Sequence, residues 1–277
     1  MSYIKAQSLE NALALLKDTV EERMLVAGGT DLFLKGLSEN LVDISALPEL
    51  CNIESDGELL KIGAAVTHSK AAESELIIKN ATALAEACLQ VGSPQIRNLG
   101  TLGGNVVNAA PAADAAVALV ALQSEAELID PDKQIRRLPV DQLYGEYNCS
   151  VIDCRKEIVL RFILKPCLQG EGSAFVRLAA RKALALPMAN AAARIKVEDG
   201  LITELFLIAA PIRPAPTRLL KTEAAVIGEP VSEDILMKVE KMASEEATVR
   251  GSLLRCSAEY RKHLVGVLAA RAVKIAS

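Results

Sequence analysis

Apolar positions recur at helical spacing in some stretches and in short dense runs in others. "SLENALALLKD" (Ser8–Asp18) sets Leu9, Ala12, Leu13 and Leu16 on one stripe behind Ser8, which predicts a capped amphipathic helix. "ELIIKNATALAEACLQV" (Glu75–Val91) predicts one continuous helix, and Ala115–Leu122 another. The compact runs "RMLVA" (Arg23–Ala27) and "LLKIGAAV" (Leu59–Val66) predict buried strands. In "THSKAAES", which follows the second, Thr67 or Ser69 is the expected cap of a short helix. "AELID", "QIRRLPV" and "EIVLRFIL" predict three strands divided by turns.

The pattern changes at Pro166–Ser173, where a proline and two glycines mark a boundary. Beyond it, "SAFVRLAAR" and "NAAARIKVEDGLITELFLIAA" predict strands, the second broken by a hairpin turn at Asp199-Gly200. "SEDILMKVEKMASEEAT" and Leu254–Val273 predict helices, the latter amphipathic with Arg261, Lys262 and Arg271 on its polar face. The expected fold class is therefore α+β. One domain covers residues 1–168, built from two α+β subdomains with a break near 52–58, and a smaller α+β domain covers 169–277.

Composition narrows the classes. At 277 residues and 51% hydrophobic, the chain can bury a sizeable core. A net charge of -4 leaves no electrostatic footprint for nucleic acid. No run of 18 uncharged apolar residues is present, so no membrane span is expected. The opening residues lack a basic stretch followed by an apolar block, and the expected location is the cytoplasm. The cysteines are scattered without a C-x2-C pair, and His68 and His263 are far apart, so a metal centre is not expected. No nucleophile or acid–base constellation stands out, so any catalysis would belong to a cofactor.

Two glycine-rich stretches carry the candidate chemistry. In "LVAGGTDL" (Leu25, Val26, Ala27, Gly28, Gly29, Thr30, Asp31, Leu32) a strand runs into paired glycines. Successive amides can point one way there with no Cβ in the path, making an anion nest. In "TLGGN" (Thr101, Leu102, Gly103, Gly104, Asn105) the design repeats, and Asp114 follows nine residues later. Alone, each stretch is equally an ordinary tight turn, and Asp114 equally a helix cap. Together they suit a ligand with two phosphates, held by neutral donors, with Asp114 accepting from ligand hydroxyls. Neither a Rossmann nor a P-loop fingerprint is present. Arg177, Arg181 and Lys182 interrupt the apolar run at Ala174–Leu186, where the plain reading is the charged outer face of a strand.

These stretches, with "QIRNLGTLGGNVVNAAPAAD", "ARKALALPMANAA" and "SAEYRKHLVGVLAARA", resemble the FAD-binding medium subunit of molybdenum hydroxylases, the xanthine dehydrogenase, purine hydroxylase and carbon monoxide dehydrogenase family. The resemblance spans essentially the whole chain. It implies a vanillyl-alcohol-oxidase-type (PCMH-type) FAD domain followed by a C-terminal flavin-subunit domain. It implies non-covalent FAD wrapped by Leu25–Leu32 and Thr101–Asn105, with Asp114 on its sugar-alcohol portion and Val159 in apolar contact. Where xanthine dehydrogenases carry a flavin-contacting lysine in "FK", this chain has Phe175-Val176, and the neighbouring cation is Arg177. The resemblance further implies a large molybdopterin-binding subunit, a small [2Fe–2S] subunit and NAD+ or another oxidant as acceptor, with molybdopterin and clusters on the partners alone. Two alternatives remain at this point: a stand-alone flavin oxidase of the same fold, and a non-enzymatic ligand-binding or assembly module.

Overall fold

The computed structural model describes residues 2–18, 20–36, 39–252 and 256–277. It opens with β1 (Tyr3–Lys5), α1 (Leu9–Lys17), β2 (Arg23–Val26) and β3 (Asn40–Asp43). These strands form a parallel sheet in the order β1-β3-β2. Ser8 caps α1 by accepting from the Asn11 N–H, and Ala12, Leu13 and Leu16 are the buried stripe.

A second unit follows: α2 (Pro48–Cys51), β4 (Ile53–Ser55), β5 (Leu60–Gly63), six helices, then β6 (Glu125–Ile129), β7 (Ile135–Pro139) and β8 (Ile158–Leu164). Its five-stranded sheet has the order β4-β5-β8-β6-β7. The helices are α3 (His68–Glu73), α4 (Glu75–Asn80), α5 (Thr82–Gln90), α6 (Pro94–Leu99), α7 (Leu102–Val107) and α8 (Asp114–Ala121). Thr67, and not Ser69, caps α3.

Where one helix was expected over Glu75–Val91, the chain breaks at Ala81 (φ -155°, ψ 51°). Ala81 offers no side-chain cap to α5, and the Ala83 N–H donates instead to Ser173 Oγ, 90 residues away. The break is thus stabilised by a tertiary contact that local pattern does not reveal. The second glycine stretch, read as a bend, is helical from Leu102 onward as α7.

The C-terminal part consists of β9 (Glu171–Ala179), β10 (Pro187–Glu198), β11 (Leu201–Ala210), β12 (Thr217–Arg218), α9 (Leu220–Ala224), α10 (Glu233–Glu246) and α11 (Ala258–Ala276). The sheet is antiparallel in the order β12-β11-β10-β9, and the β10–β11 turn places Asp199 and Gly200 at positive φ. Leu254 and Arg255 of the expected last helix lie outside the described residues; the observed helix begins at Ala258 behind the Ser257 cap. β10 is buried on both faces, which explains its run of alanines. Ala189, Ala191 and Ala193 pack with α11, whereas Ala192 faces the core that contains α5 and α8.

Candidate functional site

The residue pattern first fixes a seam. β2 delivers the chain to Gly28 and Gly29, and Gly29 turns it at φ +66°. A methyl on Gly28 would sit 2.0 Å from the Leu99 carbonyl oxygen and 2.9 Å from Gly100 Cα. Only glycine allows the first bend to lie on the backbone that leads into the second. Thr30 Oγ1 and the His68 ring both border Gly100, at 3.4 and 3.3 Å from where its Cβ would stand. The two glycine stretches, some 70 positions apart in sequence, therefore meet.

They line one cavity of about 470 Å³. Its wall includes every residue from Leu25 to Leu32, together with Thr101, Gly104 and Asn105. A smaller apolar recess of about 80 Å³ adjoins it and shares Leu25, Ala27, Thr101 and Gly104. Gly103 and Val159 line the recess. Leu102 is buried beneath both, in the core.

The bends differ in what they offer. Among the described residues, no hydrogen bond engages the main-chain N–H of Gly28, Gly29, Thr30 or Asp31. In the second stretch the amides from Leu102 to Asn105 are engaged within the protein, whereas among the described residues no hydrogen bond engages the Thr101 N–H. Leu102 N–H donates to Val66 O at 3.0 Å and Gly103 N–H to Ala64 O at 2.8 Å; Gly104 N–H donates to Thr101 Oγ1 at 3.1 Å and Asn105 N–H to Thr101 O at 2.9 Å. Contrary to the expectation of open amides along both bends, those of Leu102 to Asn105 already have protein acceptors. The first bend leaves four amides unengaged, from Gly28 to Asp31, and the second leaves that of Thr101. A Cβ on Gly103 would come within 2.9 Å of Ala64, so that glycine permits close packing of α7 on the turn after β5. A Cβ on Gly104 would meet only Thr101 Oγ1, at 3.1 Å, and otherwise project into open space.

Asp114 and Arg177 lie apart from the cavity wall. Asp114 is the first residue of α8 and does not cap it. Its carboxylate accepts from Arg177 Nη1 and, at 2.8 Å, from Asn190 Nδ2. Arg177 also donates to the carbonyls of Gln90 and Ala185. Both side chains of this pair are 7% exposed. Burial raises the Asp114 carboxyl to about pH 6, while Arg177 and Asn190 pull it down. The pair clasps the C-terminal sheet to α5 and α8. Its orientation explains why Asp114, expected to serve ligand hydroxyls, is already satisfied by protein donors.

Sequence reasoning missed the opposite wall. Asn148, Ser150, Ile152, Asp153, Cys154 and Arg155 line the cavity from a loop before β8. The Leu25 N–H donates to Cys154 O at 3.0 Å, and Arg155 Nη2 to Glu39 Oε1 at 2.6 Å, which hold that loop beside β2. It also missed His68, whose chain position gives no hint of this placement. Among the described residues, no cluster of histidine, cysteine or carboxylate could hold a metal ion, and no helix is long and apolar enough to cross a membrane.

The site is thus a cavity walled by a glycine seam, with the unengaged main-chain amides of Gly28–Asp31 on its lining residues. Residues 1–165 match the FAD binding domain in molybdopterin dehydrogenase, and residues 174–276 match the CO dehydrogenase flavoprotein C-terminal domain. The chain belongs to this family of molybdopterin dehydrogenase flavoproteins. It is 29% identical over 280 residues to the putative xanthine dehydrogenase FAD-binding subunit of Escherichia coli (strain K12), covering 98% of this chain and 94% of that protein. It is 28% identical to the glyceraldehyde dehydrogenase medium chain of Sulfolobus acidocaldarius, over 99% and 97% of the two chains. A carbon monoxide dehydrogenase structure from Hydrogenophaga pseudoflava, which lacks the Mo-pyranopterin moiety, superposes with a TM-score of 0.91 at 24% identity. That match covers 100% of this chain and 96% of the other.

Proposed function

We propose that the chain is the FAD-binding electron-transfer subunit of a molybdenum-containing hydroxylase or dehydrogenase complex. The observation that carries the reading is the row of open amides from Gly28 to Asp31, in a chain of this family. Bound FAD would supply a carrier that accepts electrons singly from [2Fe–2S] clusters on a small partner chain and releases pairs to NAD+ or another acceptor. The residues of this chain hold and shape. Gly28, Gly29, Thr30 and Asp31 donate to the pyrophosphate; such backbone nests suit an anion without any lysine. Leu25, Val26, Ala27 and Leu32 shape the wall, with Thr101, Gly104 and Asn105 opposite. Gly103 and Val159 form the apolar recess beside it. Asp114 and Arg177 support the site as an interdomain clasp. The division into residues 1–168 and 169–277 is part of the same proposal, and the hydroxylated substrate would be chosen on a large molybdopterin-binding partner. The relatives' names, which range from xanthine to glyceraldehyde, accord with that division of labour.

The test is FAD titration of the purified chain and of Gly104→Ala. The added methyl meets the capping Thr101 Oγ1 at 3.1 Å, which must give by a few tenths of an ångström, and otherwise projects into open space at the cavity wall. We expect flavin absorption to build on the parent chain and FAD affinity to fall at least tenfold in the variant, with the folded circular dichroism spectrum retained. A colourless parent protein that refuses added FAD would refute the reading. Iron and molybdenum copurifying with the chain from its source would support the partner assignment.

A further inference from the structure

His68 is held where it could act on a ligand, and nothing in the protein uses it. Thr67 caps α3, so His68 is that helix's first residue. Its N–H donates to Gly100 O at 3.0 Å, and an isolated bridge joins Thr67 to Thr101. Backbone hydrogen bonds therefore fix the ring against the second glycine stretch. The residue is 2% exposed and lines the cavity. Its Cδ2 edge lies toward Gly100, on the side that also faces Thr30 Oγ1.

Among the described residues, no hydrogen bond engages either ring nitrogen. Nδ1 is fully enclosed without a partner. An enclosed N–H lacking an acceptor is rarer and costlier than an enclosed lone pair. The proton of the neutral ring therefore belongs on Nε2, on the other side of the imidazole. Burial, with Arg97 nearby, lowers the ring to about pH 4, so it stays neutral and carries one donor. A leucine would fill the same space without a buried polar group. The Nδ1 lone pair stays unpaired in either state, so the group left for a ligand acceptor is the Nε2–H, which no protein atom among the described residues engages.

We propose that His68 is a cofactor-binding residue that donates from Nε2–H to an acceptor atom of bound FAD, an assignment that rests on the FAD reading of the cavity. The ring completes what the first bend begins: four main-chain donors on one side, and one rigid side-chain donor beside Gly100.

The experiment compares FAD affinity and cofactor-free melting temperature in the full chain, His68→Gln, His68→Asn and His68→Leu. Glutamine places an N–H near the Nε2 position, whereas asparagine mimics Nδ1. We expect His68→Gln to bind within about threefold of the parent, and His68→Asn and His68→Leu to lose about tenfold, the worth of one hydrogen bond. The cofactor-free His68→Leu protein should melt no lower than the parent, since it removes an unsatisfied group. Nitrogen-15 NMR of the cofactor-free parent should place the proton on Nε2. Parent-like binding by His68→Leu would overturn the proposal while leaving the FAD reading intact. So would a proton on Nδ1, or equal losses in all three variants together with lowered melting temperatures. Failure of the parent to bind FAD would overturn the FAD reading and this proposal with it.

Discussion

Gly28→Ala tests the seam directly. The new methyl would lie 2.0 Å from the Leu99 carbonyl oxygen, and ordinary contact begins at 3.4 Å. The first bend must therefore move about 1.4 Å away from the Leu99–Gly100 backbone. Both surfaces are main chain, so no side chain can rotate aside. Overpacking of this kind costs about 3 kcal/mol, the upper end for an inserted methyl. In a unit of this size that lowers the melting temperature by roughly 6–12 °C. The same displacement carries the Gly28–Asp31 amides away from Thr101 and Gly104 across the cavity. If two of the four donors lose their geometry, FAD binding weakens about thirtyfold. The assay is thermal unfolding of the cofactor-free protein together with fluorescence titration of FAD. A variant with parental melting temperature and affinity would refute the seam. One that melts early yet binds FAD normally would show that the seam supports the fold without aligning the donors.

Further outcomes follow from the same geometry. Arg177→Ala should cost about 3–5 kcal/mol in urea denaturation, because it strands the buried Asp114 carboxylate and frees the Gln90 and Ala185 carbonyls. Adding Asp114→Asn should recover part of that loss, and strict additivity of the two changes would contradict the clasp. His68 supplies a pH signature. The unfolded chain takes up its proton near pH 6.5 but the folded one only near pH 4, so stability falls as pH drops through that window. His68→Leu should lack this acid loss, which amounts to about 3 kcal/mol by pH 4; parallel pH–stability curves for parent and variant would refute it.

Much of this was legible in the chain. The Ser8 cap and its stripe, the strand at Arg23–Val26 running into paired glycines, and the Asp199-Gly200 hairpin are local features, and local chemistry decides them. What escaped notice depends on distant partners. The break at Ala81 is stabilised by Ser173, and the Arg155 wall by Glu39, with 90 and 116 positions between the partners. The second glycine stretch predicts donating amides from sequence alone because paired glycines look alike there. Val66 and Ala64, in the turn between β5 and α3, consume two of those amides. Asp114 looked available because nothing nearby in sequence pairs with it, whereas Arg177 arrives from a strand of the other domain.

The lack of a cation in the first bend has a consequence for how a ligand would be retained. The cavity wall carries Asp31 and Asp153, and Arg155, the one arginine among the described lining residues, is already matched by Glu39 and Asp153. A diphosphate seated there would be gripped by peptide dipoles at contact range, with little long-range attraction to draw it in. Mobile ions weaken forces between separated charges far more than contacts sheltered from solvent. Occupancy should therefore persist in strong brine, where a lysine-based phosphate pocket would empty.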